Sequence, residues 1–144
     1  MKSYNIKIKI LELESDGYHV ITKIKIEKKV LHFIVDTGAT HTCMDQNNFT
    51  SLQPEEPVME HDGDSVGIAA SGFKTAITIF RNFKIGRMLI PEQRVILLDM
   101  SHVNQVYEML KKTKIDGILG CDFLVKYNAL IDFKAKKMKL WKNS

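Results

Sequence analysis

The stretch FIVDTGAT, residues 33–40, places a carboxylate between an apolar strand pattern and a loop of small residues. Asp36 is followed directly by Thr37, Gly38 and Ala39. Backbone N–H groups of a tight loop can hold such a carboxylate in one geometry and stabilise its ionised form. An isolated Asp-Thr-Gly is equally typical of a turn that an aspartate side chain caps. The tripeptide therefore needs support from elsewhere in the chain.

A second element, GILG at residues 117–120, occurs far along the chain. Its residues Ile118, Leu119 and Gly120 form an apolar-apolar-glycine segment that can pack beneath the Asp36 loop. This second pattern favours a chemical role for Asp36 over a simple turn cap.

The pair IVDTGAT and DGILGCDFL resembles the motifs of the retropepsin-like aspartic proteases. In that family an Asp-Thr/Ser-Gly-Ala loop leaves one strand, and a second strand ending in two aliphatic residues and glycine packs below it. NALIDFKAKKMKLW is similar to the strand pair that ends many cellular and bacterial members. Viral members continue with Arg and then Asn or Asp, whereas this chain has Cys121 and Asp122. The resemblance is therefore to the non-viral type.

The resemblance implies a mainly β fold: a closed retropepsin-like acid protease barrel with a flap hairpin. The two motifs stand further apart here than in the family, and a helix expected from the residue pattern near 102–112 would account for the extra residues as an insertion. The residue pattern also predicts a short helix near 122–127. Asp36 would be the catalytic residue, Thr37 would lock two loops across an interface, Gly38 would allow the turn and Ala39 would approach substrate. The flap and substrate-binding residues would be Gly67, Ile68, Ala69, Ala70, Ser71 and Gly72.

A dyad is required for this chemistry. Aspartic proteolysis uses two carboxylates that share one proton, one as base toward water and one as acid toward the carbonyl. The chain has one Asp-Thr-Gly, because Asp64-Ser65 is followed by Val66. We therefore expect a homodimer that pairs Asp36 with its copy and cleaves a peptide or protein substrate without cofactor or metal. The alternative is a non-catalytic retropepsin-like module for peptide binding or dimerisation.

The strands that must position these residues are predicted from the alternation of apolar and polar residues along the chain. Residues 6–10 and 20–26 predict a hairpin around the turn Ser15-Asp16-Gly17, and residues 30–35 predict the strand that leads to Asp36. A helical period over 102–112 predicts one amphipathic helix, with Val103, Val106, Tyr107 and Leu110 on its apolar face and Ser101 as N-cap. Residues 45–64 are polar and contain proline, which predicts a loop with a short helical turn near Asn47–Leu52. Further strands are expected at 66–69, 73–80, 83–85, 94–98 and 117–120, and in a closing hairpin near 129–141.

Composition narrows the function classes. The 144 residues fit a single domain, 1–144, and the net charge of +4 is spread without a basic stripe, so nucleic acid is not an expected partner. No apolar run has the length of a membrane span, and the first residues alternate Ile with Lys, so we expect a cytoplasmic protein without membrane contact. Cys43 and Cys121 lack metal or disulfide-framework spacing and are expected to be reduced.

Two other groups of residues could form functional sites, but each has a simpler structural explanation. His61, Asp62 and Asp64 in EHDGDS could be metal ligands, but a solvated turn is the commoner meaning of such close spacing. His41 and Cys43 lie beside the Asp36 motif and could suggest a Cys–His nucleophile. No orienting partner is evident for that pair, so the pattern favours two packing residues.

Overall fold

The computed structural model describes residues 1–61, 75–110 and 113–143. The strands in these ranges are β1 (Lys2–Glu14), β2 (Gly17–Ile26), β3 (Lys29–Val35), β4 (Cys43–Asp45), β5 (Met59–His61), β6 (Thr75–Ile85), β7 (Met88–Leu98), β8 (Gly117–Leu119), β9 (Leu130–Asp132) and β10 (Lys137–Lys142). The helices there are α1 (Gln46–Leu52), α2 (Ser101–Met109) and α3 (Cys121–Lys126). Across the described ranges, no helix combines the length and apolar character that a membrane crossing requires.

Six strands close into a barrel. Their order is β6-β7-β4-β8-β3-β2, and the ring closes where β2 pairs with β6 at Ile24 and Ile85. The strand β2 is long enough to pair with β1 along its first half and with β6 along its second half. β1, β10 and β9 extend the sheet beyond the barrel. The predicted mainly β, closed-barrel fold is confirmed.

The apolar residues of β3 alternate between two clusters. Phe33 and Val35 point into the barrel, where the first cluster also contains the buried rings of Phe80, Phe83 and Phe123. Ile34 points outward and belongs to a second cluster on the outer face. The consecutive apolar residues before Asp36 are thus explained by a strand that is buried on both faces.

The second cluster joins the outer face of the barrel to α2. Tyr107 of α2 is buried, with 1% of its surface exposed, and Met100 just before the helix is buried with it. The members of this cluster are Leu11, Ile21, Ile34, Ala39, Cys43, Met100, Tyr107, Ile115 and Ile118.

The predicted helix near 102–112 is observed as Ser101–Met109, and its buried face is narrower than the sequence pattern suggests. Tyr107 is fully buried and Val103 is partly buried, but Val106 is 49% exposed. The N-cap is Met100, and Ser101 is already the first helical residue. The apolar stripe predicts the helix correctly, but part of the stripe faces solvent.

The helical turn predicted near Asn47–Leu52 is observed as α1, whereas the loop predicted for the rest of 45–64 is wrong in part, because it contains the end of β4 and the strand β5. Asp45 caps α1 by accepting a hydrogen bond from the N–H of Asn48 at 3.1 Å. β5 pairs with β6 through Met59 and Ile77. The expected separate strands at 73–80 and 83–85 are continuous within β6, because Asn82 takes a positive φ of 55° without ending the strand.

The turn predicted at Gly86 is confirmed, with a φ of 60° that favours glycine. The expected strand at 66–69 and the flap residues Gly67–Gly72 lie outside the described residues.

Candidate active site

Asp36 begins a tight turn directly after β3. Its N–H donates to the carbonyl of Leu119 at 3.0 Å, so the ladder between β3 and β8 continues to this residue. Its side-chain Oδ1 accepts the N–H of Gly38 at 2.8 Å, and its carbonyl accepts the N–H of Ala39 at 3.2 Å. The carboxylate is therefore oriented by the backbone of its own loop and lies half-buried at the barrel surface.

The strand β8 lies beside β3 and supports this turn. The two strands are parallel, with Ile34 opposite Ile118 and Val35 opposite Leu119. β8 also pairs with β4 on its other side, so it is inserted between the strands before and after the Asp36 loop. The structure thus brings the two sequence motifs together.

Gly117 in β8 and Gly120 directly after it allow β8 to pass close to the backbone of the Asp36 loop. A Cβ at Gly120 would lie 2.5 Å from the carbonyl carbon of His41 and 3.0 Å from the carbonyl oxygen of Ala39. A Cβ at Gly117 would lie 2.4 Å from the ring of Phe33 and 2.6 Å from the carbonyl oxygen of Cys43. The GILG pattern is therefore a packing requirement of the loop's support.

A polar network fixes the far end of the Asp36 loop. The hydroxyl of Thr42 donates to Asp122 Oδ1 at 2.7 Å and accepts the N–H of Gly120 at 3.1 Å. The N–H of Thr42 also donates to Asp122 Oδ1 at 2.9 Å. Gln93 donates from its side-chain amide to Asp122 Oδ2 at 3.2 Å. Thr42 and Gln93 were not expected from the sequence, and no local pattern distinguishes them.

The tip of the loop faces solvent. Thr37, Gly38 and Thr40 are exposed, whereas Ala39 is buried in the second cluster. Cys121 at the start of α3 donates from Sγ to the carbonyl of Thr37 at 3.0 Å. The loop therefore presents polar and small groups at the surface on a fixed backbone.

Two neighbouring carboxylates are buried, Asp45 at the N-cap of α1 and Asp116 directly before β8, and the N–H of Asp45 donates to the carbonyl of Asp116 at 2.8 Å. Asp116 accepts hydrogen bonds from the N–H of His32 at 2.9 Å and from the side-chain amide of Asn48. Asp45 accepts the N–H of Met100 at 3.2 Å as well as that of Asn48. Burial raises the pKa of Asp116 above its ordinary value, and the neighbouring Asp45 charge adds to this effect.

The burial of Cys43 argues against a catalytic Cys–His pair. Cys43 is buried in the second cluster, and its Sγ points to the carbonyl of His41 at 3.4 Å. Burial, together with the charges of Asp122 and Asp36, raises the pKa of Cys43 to about 11. A thiol in this state is protonated at physiological pH and is a poor nucleophile. These features favour the packing role.

No cluster of three or more His, Cys, Asp or Glu side chains suited to a metal is found in the described part of the chain. Asp62 and Asp64 of the possible metal ligands lie outside that part.

A family model described as "Aspartyl protease" matches residues 22–123. The chain belongs to the aspartyl protease family. The match includes both β3 with the Asp36 loop and β8 with its glycines. No curated protein matches the chain.

Solved structures similar to this aspartyl protease family member share its fold at low sequence identity. One is the retroviral protease-like domain of Ddi1 from Leishmania major, with 19% identity and a TM-score of 0.52, covering 83% of this chain and 86% of that one. Another is a retropepsin-like aspartic protease from Rickettsia conorii, with 13% identity and a TM-score of 0.56, covering 96% of this chain and 90% of that one. The fold is retropepsin-like.

Proposed function

We propose that this family member is an aspartic endopeptidase whose active site forms only when two copies of the chain bring their Asp36 carboxylates together. The observation that carries the proposal is the loop at Asp36. Its carboxylate is oriented by the N–H of Gly38 and its backbone is held by Leu119, yet its tip at Thr37 and Gly38 is exposed. A rigid, surface-presented carboxylate suits a site that a second chain completes.

The need for a second copy follows from the chemistry. Two carboxylates in close contact cannot both ionise cheaply, so they share one proton. The ionised Asp36 would take a proton from a water molecule, whose oxygen attacks the carbonyl carbon of the scissile peptide bond. The protonated Asp36 of the other copy would donate its proton to the carbonyl oxygen. When the tetrahedral intermediate collapses, the Asp36 that took the water proton passes it to the leaving nitrogen, and the other Asp36 takes a proton back from one hydroxyl of the intermediate. The C–N bond breaks as that oxygen re-forms a carbonyl, which gives a carboxylic acid and an amine and restores the dyad.

The substrate would bind as an extended strand. Main-chain hydrogen bonds supply much of the affinity of such a segment, and side-chain pockets supply the specificity. The predicted flap at Gly67–Gly72 would close over the bound strand from the side opposite Asp36. Thr37 from each copy would join the two loops at the interface.

The test compares the wild type with Asp36→Asn on a peptide library from acidic to neutral pH. We expect the wild type to cleave a subset of peptides and the variant to lose at least about a thousandfold in kcat/KM, because Asn can neither accept nor return the proton. Unchanged cleavage by the variant would assign catalysis to another residue. If the wild type binds some peptides but cleaves none, the protein is a non-catalytic peptide-binding module and the endopeptidase proposal fails.

A further inference from the structure

His19 lies on β2, near the end of the barrel where β3 leads into Asp36. The antiparallel ladder of β2 and β3 ends with Ile21 opposite Ile34, and two residues beyond this pair along each strand stand His19 and Asp36. Because side chains alternate along a strand, His19 projects from the same face as Ile21 and Ile34. The imidazole therefore lies on the outer face of the barrel, at the end where β3 delivers Asp36.

Tyr107 of α2 holds this imidazole in place. The Tyr107 hydroxyl lies 2.7 Å from His19 Nδ1, and the two rings stack with their centroids 5.9 Å apart. Burial raises the pKa of Tyr107 to about 12, so its hydroxyl stays protonated. His19 itself is only partly buried. Since Tyr107 occupies Nδ1, the ring nitrogen left to meet a ligand is Nε2.

The helix that carries Tyr107 is firmly attached to the support of the Asp36 loop. The side-chain amide of Asn104 donates to the carbonyl of Ile115 at 2.9 Å, and its Oδ1 accepts the N–H of Ile115 at 2.7 Å. Ile115 lies two residues before the start of β8. Tyr107, Ile115 and Ile34 share the second cluster. The position of the imidazole is thus coupled to the same strand that supports Asp36.

The face of the barrel that carries His19 also carries basic side chains. Lys9 of β1, which is opposite Ile21, and Lys23 of β2 project from this face and are exposed, and both lie close enough to His32 of β3 to affect its pKa. Asp36 follows β3, and α2 contributes the neutral Tyr107 and the exposed Glu108. When the Tyr107 hydroxyl donates to Nδ1, the ring proton of His19 is on Nε2, which can then donate to an anionic acceptor.

We propose that His19, held by Tyr107, is a specificity-determining residue that favours peptide substrates with a carboxylate side chain close to the scissile bond. The inference rests on the proposed endopeptidase function. An imidazole N–H that donates to an ionised carboxylate forms a charge-assisted hydrogen bond, which is stronger than a bond between neutral groups. Tyr107 is a positioning residue that acts through His19.

The experiment uses paired peptides that differ only by Glu or Gln at each position around a site cleaved by the wild type. We expect the wild type at pH 5 to prefer Glu at one such position, and His19→Gln to lower kcat/KM for the Glu peptide about tenfold while changing the Gln peptide less than about twofold. The Gln side chain can still accept the Tyr107 hydroxyl, so the fold is retained. Tyr107→Phe should weaken the preference in the same direction, because it frees the ring to rotate.

The matched control is His32→Gln, on the same face of the barrel and four residues before Asp36 in β3. It should leave the Glu preference unchanged. An equal fall for both peptides in His19→Gln, or an unaltered preference, would overturn the inference while leaving the endopeptidase intact. If the wild type cleaves nothing, the proposed function fails. The inference is then judged on binding of the same paired peptides: a Glu preference lost in His19→Gln supports it, and no preference overturns it.

Discussion

The hydroxyl of Thr42 lies 2.7 Å from Asp122 Oδ1, and this contact connects the chain just after the Asp36 loop to the start of α3. Thr42 is 1% exposed, so its hydroxyl depends on Asp122 and on the N–H of Gly120 for hydrogen bonds. Asp122 also accepts the backbone N–H groups of Thr42 and Phe123. One carboxylate thereby holds together the two segments that frame the candidate catalytic residue.

Thr42→Val should destabilise the protein and impair the site. The substitution keeps the volume but leaves the Gly120 N–H and one interaction of Asp122 unsatisfied, which costs about 1–3 kcal/mol in the free energy of unfolding. Urea denaturation measures this loss. Thr42→Ser, which keeps the hydroxyl, is the control and should retain most of the stability. Equal stability of the Val variant and the wild type would show that the network is dispensable.

Gly120→Ala should be more damaging than an average alanine substitution. Its Cβ would meet the backbone of His41 at 2.5 Å, and backbone atoms cannot move aside as a side-chain end can. Overpacking of this kind costs about 1–3 kcal/mol or more. Gly17→Ala is the matched control, because a Cβ there has nothing within 4 Å. Thermal unfolding of both variants should show a clear fall in Tm for Gly120→Ala alone.

The two cysteines should differ in reactivity. With its pKa raised to about 11, buried Cys43 is only about one part in a thousand thiolate at pH 8. Cys121 is partly exposed. Iodoacetamide should therefore label the native wild type once, at Cys121, and Cys43 only after denaturation, as mass spectrometry can show. Cys121→Ser should take no label in the native state. Rapid native labelling of Cys43 would contradict its burial.

The stability of the protein should carry a pH dependence from Asp116. Its pKa is raised in the folded state, mainly by burial, so the folded chain binds a proton more tightly than the unfolded chain. Stability from this group is present at low pH and is lost as the pH rises from the ordinary Asp value of 3.8 through the folded pKa. Asp116→Asn cannot ionise and lacks this contribution.

The measurement for Asp116 is chemical denaturation of the wild type and Asp116→Asn at several pH values. The free energy of unfolding of the wild type minus that of the variant should fall as the pH rises through this window. Other titrating groups, such as His32, are present in both proteins and largely cancel in the difference. A difference that stays constant or increases with pH would contradict a raised pKa.

The sequence predicts those elements of the fold that are specified by neighbouring residues alone. The alternation of Ile6 and Ile8, the turn at Asp16 and the glycine at 86 each specify a strand or a turn through short-range geometry. The Asp36 and Gly120 motifs could be paired because both have a recognisable pattern. The resulting fold and family membership are confirmed. The homodimer, the single-domain organisation and the cytoplasmic location stay predictions.

The parts that the sequence did not predict depend on distant partners. Thr42 contacts Asp122 across 80 residues of sequence, and Asn48 contacts Asp116 across 68. The sequence indicates α1 only as a short helical turn, because its polar segment QNNFTSL buries only Phe49 and shows no helical period. Its stability depends on the cap at Asp45 and on tertiary contact, which a periodic pattern does not reveal.

The most direct test of the account is the activity of wild-type chains mixed with Asp36→Asn chains. Both are refolded together so that subunits pair at random, with the wild-type concentration held fixed and an unrelated protein at the same excess as control. A site that needs two Asp36 carboxylates predicts that a ninefold excess of the variant lowers activity per wild-type chain to about one tenth. Activity that depends only on the number of wild-type chains would contradict the shared dyad.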